Sequence, residues 1–119
     1  MFVNVSNHPS ELWLEKQKEC ALCYGDIVDV AFPAIHKDYD SNKYDELVEL
    51  YYERIMGICP DVVMVQGEFI FTYRLVCKLK VSGVRVVSAP SERICQEFKD
   101  ENNVIHKHSL FEFIDFVDY

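Results

Sequence analysis

The sequence predicts an α/β fold: an open, mainly parallel sheet with helices on both faces. Three observations carry this. Short apolar runs alternate with stretches of helical periodicity along most of the chain. Residues 62–65 (VVMV) form a continuous apolar run, the pattern of a strand buried on both sides. Gln66-Gly67-Glu68 then leads directly into a helical stretch over about 69–80, which is half of a strand–turn–helix unit. In such a unit backbone N–H groups and the helix dipole point toward whatever binds above the sheet.

Taken in order, residues 2–5 (FVNV) read as the first strand, and Ser6-Asn7-His8-Pro9-Ser10 is a polar break. Pro9 and Ser10 suit a helix start, one by fixing φ and the other by capping. A helix is expected over about 10–24, with Trp13, Gln17, Cys20, Ala21 and Tyr24 on one stripe and Gly25 as its stop. Residues 27–32 (IVDVAF) are the second strand, closed by Pro33, and 34–42 a polar loop. Over 42–58, Tyr44, Leu47, Val48, Tyr51, Ile55 and Ile58 give the clearest amphipathic helix in the chain. Cys59-Pro60 ends it and delivers the central strand. After the third helix, Ser82-Gly83 is a stop and 84–88 (VRVVS) the fourth strand. This alternation calls for right-handed crossovers between parallel strands. The tail changes character. Residues 94–99 and 104–108 read as a hairpin about the turn 100–103, and the aromatic stretch 110–117 as an edge segment or a subunit contact.

A chain of 119 residues is long enough for one hydrophobic core, so a single domain over 1–119 is expected. No apolar run approaches the roughly 20 residues of a membrane span. The opening MFVNVSNHPS has no basic region followed by a long apolar one, so no signal peptide is expected. These features point to a cytoplasmic protein without membrane association. The five cysteines read as reduced, buried thiols rather than a disulfide framework. Cys20 and Cys23 form a CxxC, but at the end of a helix, where the dipole does not favour a reactive thiolate. A net charge of −8 argues against general binding of long nucleic acid. It leaves room for a small phosphate-bearing ligand.

In an open parallel sheet ligands bind beyond the carboxyl ends of the strands, where the strand order reverses. Three such ends are polar here: Ser6-Asn7-His8, Gln66-Gly67-Glu68, and 88–93 (SAPSER). In the common order 2-1-3-4 the first two would face each other. Neither GxGxxG nor GxxxxGK[ST] is present, and no HExxH or carboxylate cluster suggests a metal, so neither metal nor cofactor is expected. His8 is suited to acid, base or phosphate contact, and equally to a surface or capping role. Arg93 suits a bidentate phosphate contact, or a pair with Glu68 or Glu92. Gly67 is expected to allow close backbone approach or an unusual φ. Glu68 suits a ribose hydroxyl, an adenine amino group or Arg93 better than a phosphate. His106 and His108 alternate on a predicted strand and share one face; His36 lies in a loop.

The stretches VNVSNHPS, VVMVQGEFIFTYRLV and VVSAPSER, with the aromatic tail, resemble the small stand-alone ring-nuclease families of type III CRISPR systems, related to the CRISPR-associated Rossmann fold. The resemblance spans most of the chain, and VQGEFxxTY is its most specific part. It implies a Rossmann-like homodimer that binds a cyclic oligoadenylate messenger, most simply cyclic tetra-adenylate. It further implies metal-independent cleavage, a ribose 2′-hydroxyl attacking the adjacent phosphate. On this chain His8 and Arg93 would be catalytic. Ser6, Asn7, Gln66, Gly67, Glu68, Thr72, Ser88 and Ser91 would bind the ring. A module that binds the messenger without cutting it, or an unrelated small-molecule domain of the same fold, are the alternatives.

Overall fold

The apolar runs become strands and the amphipathic stretches helices, in the expected order. The computed structural model describes the backbone of all 119 residues and every side chain except those of 92–96, 98 and 107–111. The elements are β1 (Phe2–Ser6), a 3-10 turn (Ser10–Leu12), α1 (Glu15–Leu22), β2 (Ile27–Ala31), α2 (Ser41–Gly57), β3 (Val62–Gln66), α3 (Phe69–Val81), β4 (Arg85–Ser88), β5 (Ser91–Lys99), β6 (Ile105–Phe113) and β7 (Val117–Asp118). Five strands form one sheet in the order β2-β1-β3-β4-β7, with β7 antiparallel on β4 and the others parallel. β5 and β6 form a separate antiparallel ribbon, from Ser91↔Phe113 to Lys99↔Ile105. The architecture is an open, Rossmann-like sheet with a C-terminal hairpin and an added edge strand.

Successive side chains of a strand point to opposite faces, and β1 and β3 divide accordingly. Val3, Val5, Val63 and Val65 pack with Val48 and Ile55 of α2 and Phe71, Leu75 and Leu79 of α3. Phe2, Val62 and Met64 pack on the other face with Trp13, Ala21, Phe113 and Phe116. Two helices therefore cover one face, and α1 with the aromatic tail covers the other. No helix among the described residues is long and apolar enough to cross a membrane.

Three expectations need correction. The first helix does not run unbroken over 10–24: it is a 3-10 turn and then α1, separated by Trp13 and Leu14 in extended backbone. The indole explains the break, since it sinks edge-on against Phe2 at 6.1 Å and its Nε1 donates to the His8 carbonyl at 3.0 Å. A continuous helix would carry Trp13 past that acceptor. The cysteines are free but not buried: Cys23, Cys59 and Cys77 are exposed and Cys20 is half-buried, while the Cys95 side chain lies outside the described residues. The aromatic tail is in part core, because Phe113 and Phe116 are buried in this same chain.

That last correction has a measurable consequence. Phe116 sits 4.9 Å from Phe2 and 5.0 Å from Phe113, ring centre to ring centre. Truncation of a buried Phe to Ala typically costs about 3–5 kcal/mol. Phe116→Ala is expected to lower the urea midpoint by a loss of this size, and the loss should not depend on protein concentration. A loss that vanished on dilution would assign the ring to a subunit contact instead.

Candidate functional site

The site begins with two strands. From β1 the chain crosses to β2 on one side, and from β3 to β4 on the other, so the order reverses between β1 and β3. Their last residues, Ser6 and Gln66, stand opposite each other in the register. Beyond them opens a cavity of about 460 Å³. Its polar lining is Ser6, His8, Gln17, Gln66 and Ser91, and its apolar wall comes from Leu12, Trp13, Leu14, Met64, Ala89 and Phe113. No Asp or Glu is among these lining residues.

The loop that carries His8 is fixed from below. Asn4 is buried in the middle of β1, and its amide donates to Asp29 Oδ1 at 2.8 Å and to the His8 carbonyl at 2.9 Å. Ser6 Oγ donates to Asn4 Oδ1 at 2.7 Å and accepts from the His8 N–H at 3.2 Å. Asp29, the register partner of Asn4, also takes the Ser10 N–H and accepts from Ser10 Oγ at 2.9 Å. His8 is thus held at both its N–H and its carbonyl. Its exposed imidazole lines the cavity and has no hydrogen-bond partner among the described residues.

Gln66 ties the second strand end to the third. Its Oε1 accepts from the Ala89 N–H at 3.0 Å and from Ser88 Oγ at 3.3 Å. The carboxamide NH₂ has no such partner among the described residues and borders the cavity. Ser88 therefore braces Gln66 rather than lining the cavity itself, while Ser91, the first residue of β5, does line it.

The remaining expected residues divide differently. Asn7 is exposed and stands outside the cavity lining. Gly67 and Thr72 line a groove on the α3 side, which meets the cavity at Gln66. Thr72 is buried, and its hydroxyl has no partner among the described residues. The backbone of Arg93 lies in β5 opposite Phe111, but its side chain, like those of Glu92 and His108, lies outside the described residues. His106 bonds to Asp100 at 2.8 Å in the hairpin, and that bond is the main reason the Asp100 carboxyl sits below its ordinary range.

Glu68 is a correction to the expected chemistry. It is the N-cap of α3, and its carboxylate accepts from the Ile70 N–H at 2.8 Å and the Phe71 N–H at 3.0 Å. The groups expected to receive a ligand anion are already bonded to a carboxylate of the chain itself. The same carboxylate, behind burial of the ring, holds the Tyr44 phenol above its ordinary range. Asp29 treats the start of the 3-10 turn in the same way through Ser10. The start of α1 differs: its N-cap residue Leu14 lines the cavity together with Gln17, and no side chain caps it. Among the described residues no group of three or more His, Cys, Asp or Glu is placed to hold a metal ion.

Sequence reasoning passed over Asn4, Asp29, Trp13 and Gln17. Asn4 and Asp29 were legible as polar residues inside apolar strands, a costly placement that requires partners. Gln17 carried no signal apart from its helical stripe. Gly67 was singled out, but its φ is not positive. A Cβ there would stand 2.4 Å from the Phe32 ring, which packs on Phe71 at 5.1 Å. Gly67→Ala is accordingly expected to cost about 1–3 kcal/mol by overpacking, read as a lower melting temperature. Phe32→Ala in the same chain should recover part of this cost. Strain from φ alone would leave the double variant no better than additive.

No curated protein and no solved structure matches the chain. A family model matches residues 1–117, nearly its whole length. The chain belongs to the uncharacterized protein MJ1673 family.

Proposed function

We propose that this protein binds a cyclic oligoadenylate in the cavity between the ends of β1 and β3 and opens the ring. The observation that carries the reading is His8: an imidazole with no partner among the described residues, on a backbone held at both ends, facing a cavity whose described lining holds no carboxylate. The apolar wall offers a nucleobase a surface to stack on, and Trp13 is part of it. Gln66, Gln17 and Ser91 supply polar groups that read base and ribose edges. The likeness of VVMVQGEFIFTYRLV and SNHPS to the ring-nuclease families names the ligand class.

The chemistry asks little of the protein. A ribose 2′-hydroxyl attacks the adjacent phosphorus, the bond to the 5′ oxygen breaks, and a cyclic phosphate and a free 5′-hydroxyl remain. Alignment of the attacking oxygen with the leaving one, and stabilisation of charge on the phosphate, are the catalytic tasks. His8 serves the second task, and Arg93 of β5 is the other cation assigned to it. Two copies about a two-fold axis would present each loop twice to a ring of matching symmetry. We place the protein in the cytoplasm, where such a messenger acts.

A second reading has its own observation. Glu68 and Asp29 already occupy backbone N–H groups at the starts of α3 and of the 3-10 turn, which could otherwise meet a phosphate. This favours a module that holds the messenger by its bases and does not cut it.

Labelled cyclic tetra-adenylate incubated with the protein in EDTA separates the readings. The expected products are linear and end in a cyclic phosphate. His8→Ala and Arg93→Ala are each expected to slow single-turnover cleavage by about 10²–10³, the usual effect of losing one transition-state contact, while affinity changes far less. A ring retained intact supports the holding module, and absence of binding removes both readings.

A further inference from the structure

Helix α3 turns Phe71, Leu75, Val76 and Leu79 to the interior. Its water-facing side is mostly apolar. Phe69 is 88% exposed, Tyr73 71% and Val81 90%, with Cys77 exposed between them. These four fall at i, i+4, i+8 and i+12 and form one ridge along the helix. A groove runs along each flank. One, of about 640 Å³, lies toward α2 and is bordered by Tyr52, Arg74 and Lys78. The other, of about 680 Å³, is bordered by Val76, Lys80 and Tyr119 and reaches Gln66 and Gly67. A ridge of this spacing between two grooves is the shape that packs against a copy of itself, with a crossing angle of about −50°.

Charge points to the same occupant. Neither groove is lined by Asp or Glu. The cations at their edges are satisfied within the chain: Arg74 pairs with Asp45 at 3.0 Å, Lys78 with Glu49, and Lys80 donates to the Tyr119 carbonyl at 2.6 Å. For a chain of net charge −8, this is a face whose described acidic groups, Asp45 and Glu49, are already paired with cations of the same chain, so two copies can meet on it with little repulsion. The two exposed aromatic rings alone offer on the order of 300 Å². A stable interface covers roughly 800 Å² per partner, and the rest of the ridge and the groove walls add toward that figure.

We infer that α3 is the docking face for a second copy of this chain, the ridge of each copy seated in a groove of the other about a two-fold axis. The face gives the pairing invoked above its surface, and it rests on that reading only for its use. Because one groove ends at Gln66 and Gly67, the partner's helix abuts the turn that closes the candidate site.

Sedimentation velocity of the full chain, reduced and without nucleotide, tests this across the micromolar range. The expected species has twice the monomer mass. Tyr73→Asp and Val81→Asp are each expected to weaken dimerisation more than 100-fold, since symmetry buries every added carboxylate twice; circular dichroism should show unchanged helix. With the other four of the five cysteines replaced by serine, a short bismaleimide should join Cys77 to Cys77. A monomeric wild-type chain overturns the inference, as does a dimer that neither substitution weakens. So does a monomer that floats with lipid vesicles. With no nucleotide present, failure of the pairing is read separately from failure of the messenger reading.

Discussion

An amide buried at the centre of a sheet must find its hydrogen bonds inside the protein, and the Asn4 side chain finds three. Left unpaired, such a group costs about 1–3 kcal/mol. Satisfying it fixes the surrounding chain. Asp29 must come alongside on β2, which sets the register of the first two strands. The His8 carbonyl must fold back over the strand end, which makes the polar break a closed loop. Trp13 then reaches the same carbonyl, and the chain between the 3-10 turn and α1 must be extended to let it. The cavity wall and the position of the His8 imidazole follow from that one buried side chain.

The second constraint is electrostatic. Helix starts attract anions, and this fold fills the starts of α3 and of the 3-10 turn with its own carboxylates, Glu68 and Asp29, while the start of α1 at the cavity has no side-chain cap. Stability gains from the capping, but any ligand phosphate loses a ready partner. In the cavity wall, His8 is held only through its backbone. A site of this kind has apolar and aromatic walls for affinity and few fixed charges.

Gln66 joins the two sides of the molecule. Its oxygen braces β4 through Ala89 and Ser88, while the residue borders both the switch-point cavity and the groove beneath α3. The groove and the cavity thus share one side chain, with the glycine beside it on the groove side. Phe32, packed where a Cβ of residue 67 would sit, makes that turn tight.

Local pattern determined the order of the elements, because apolar periodicity reports which face of each segment meets the core. Residues 62–65, the α2 stripe from Tyr44 to Ile58 and the stop at Ser82-Gly83 were legible for that reason. The strand order 2-1-3-4 was assumed as the common one for such sheets, and the structure has it, with Ser6 opposite Gln66. Roles depended on partners far away in the chain. Glu68 read as a ligand contact until the helix it caps was in place, and Gly67 read as an open approach until Phe32 filled it. Trp13 read as one residue of a stripe, although a carbonyl five residues back decides its backbone. The aromatic tail read as surface, yet Phe113 and Phe116 close the core that α1 alone is too short to cover. Pattern along the chain gives the faces of each element; only packing between elements decides which polar groups are already bonded and which are left to meet a ligand.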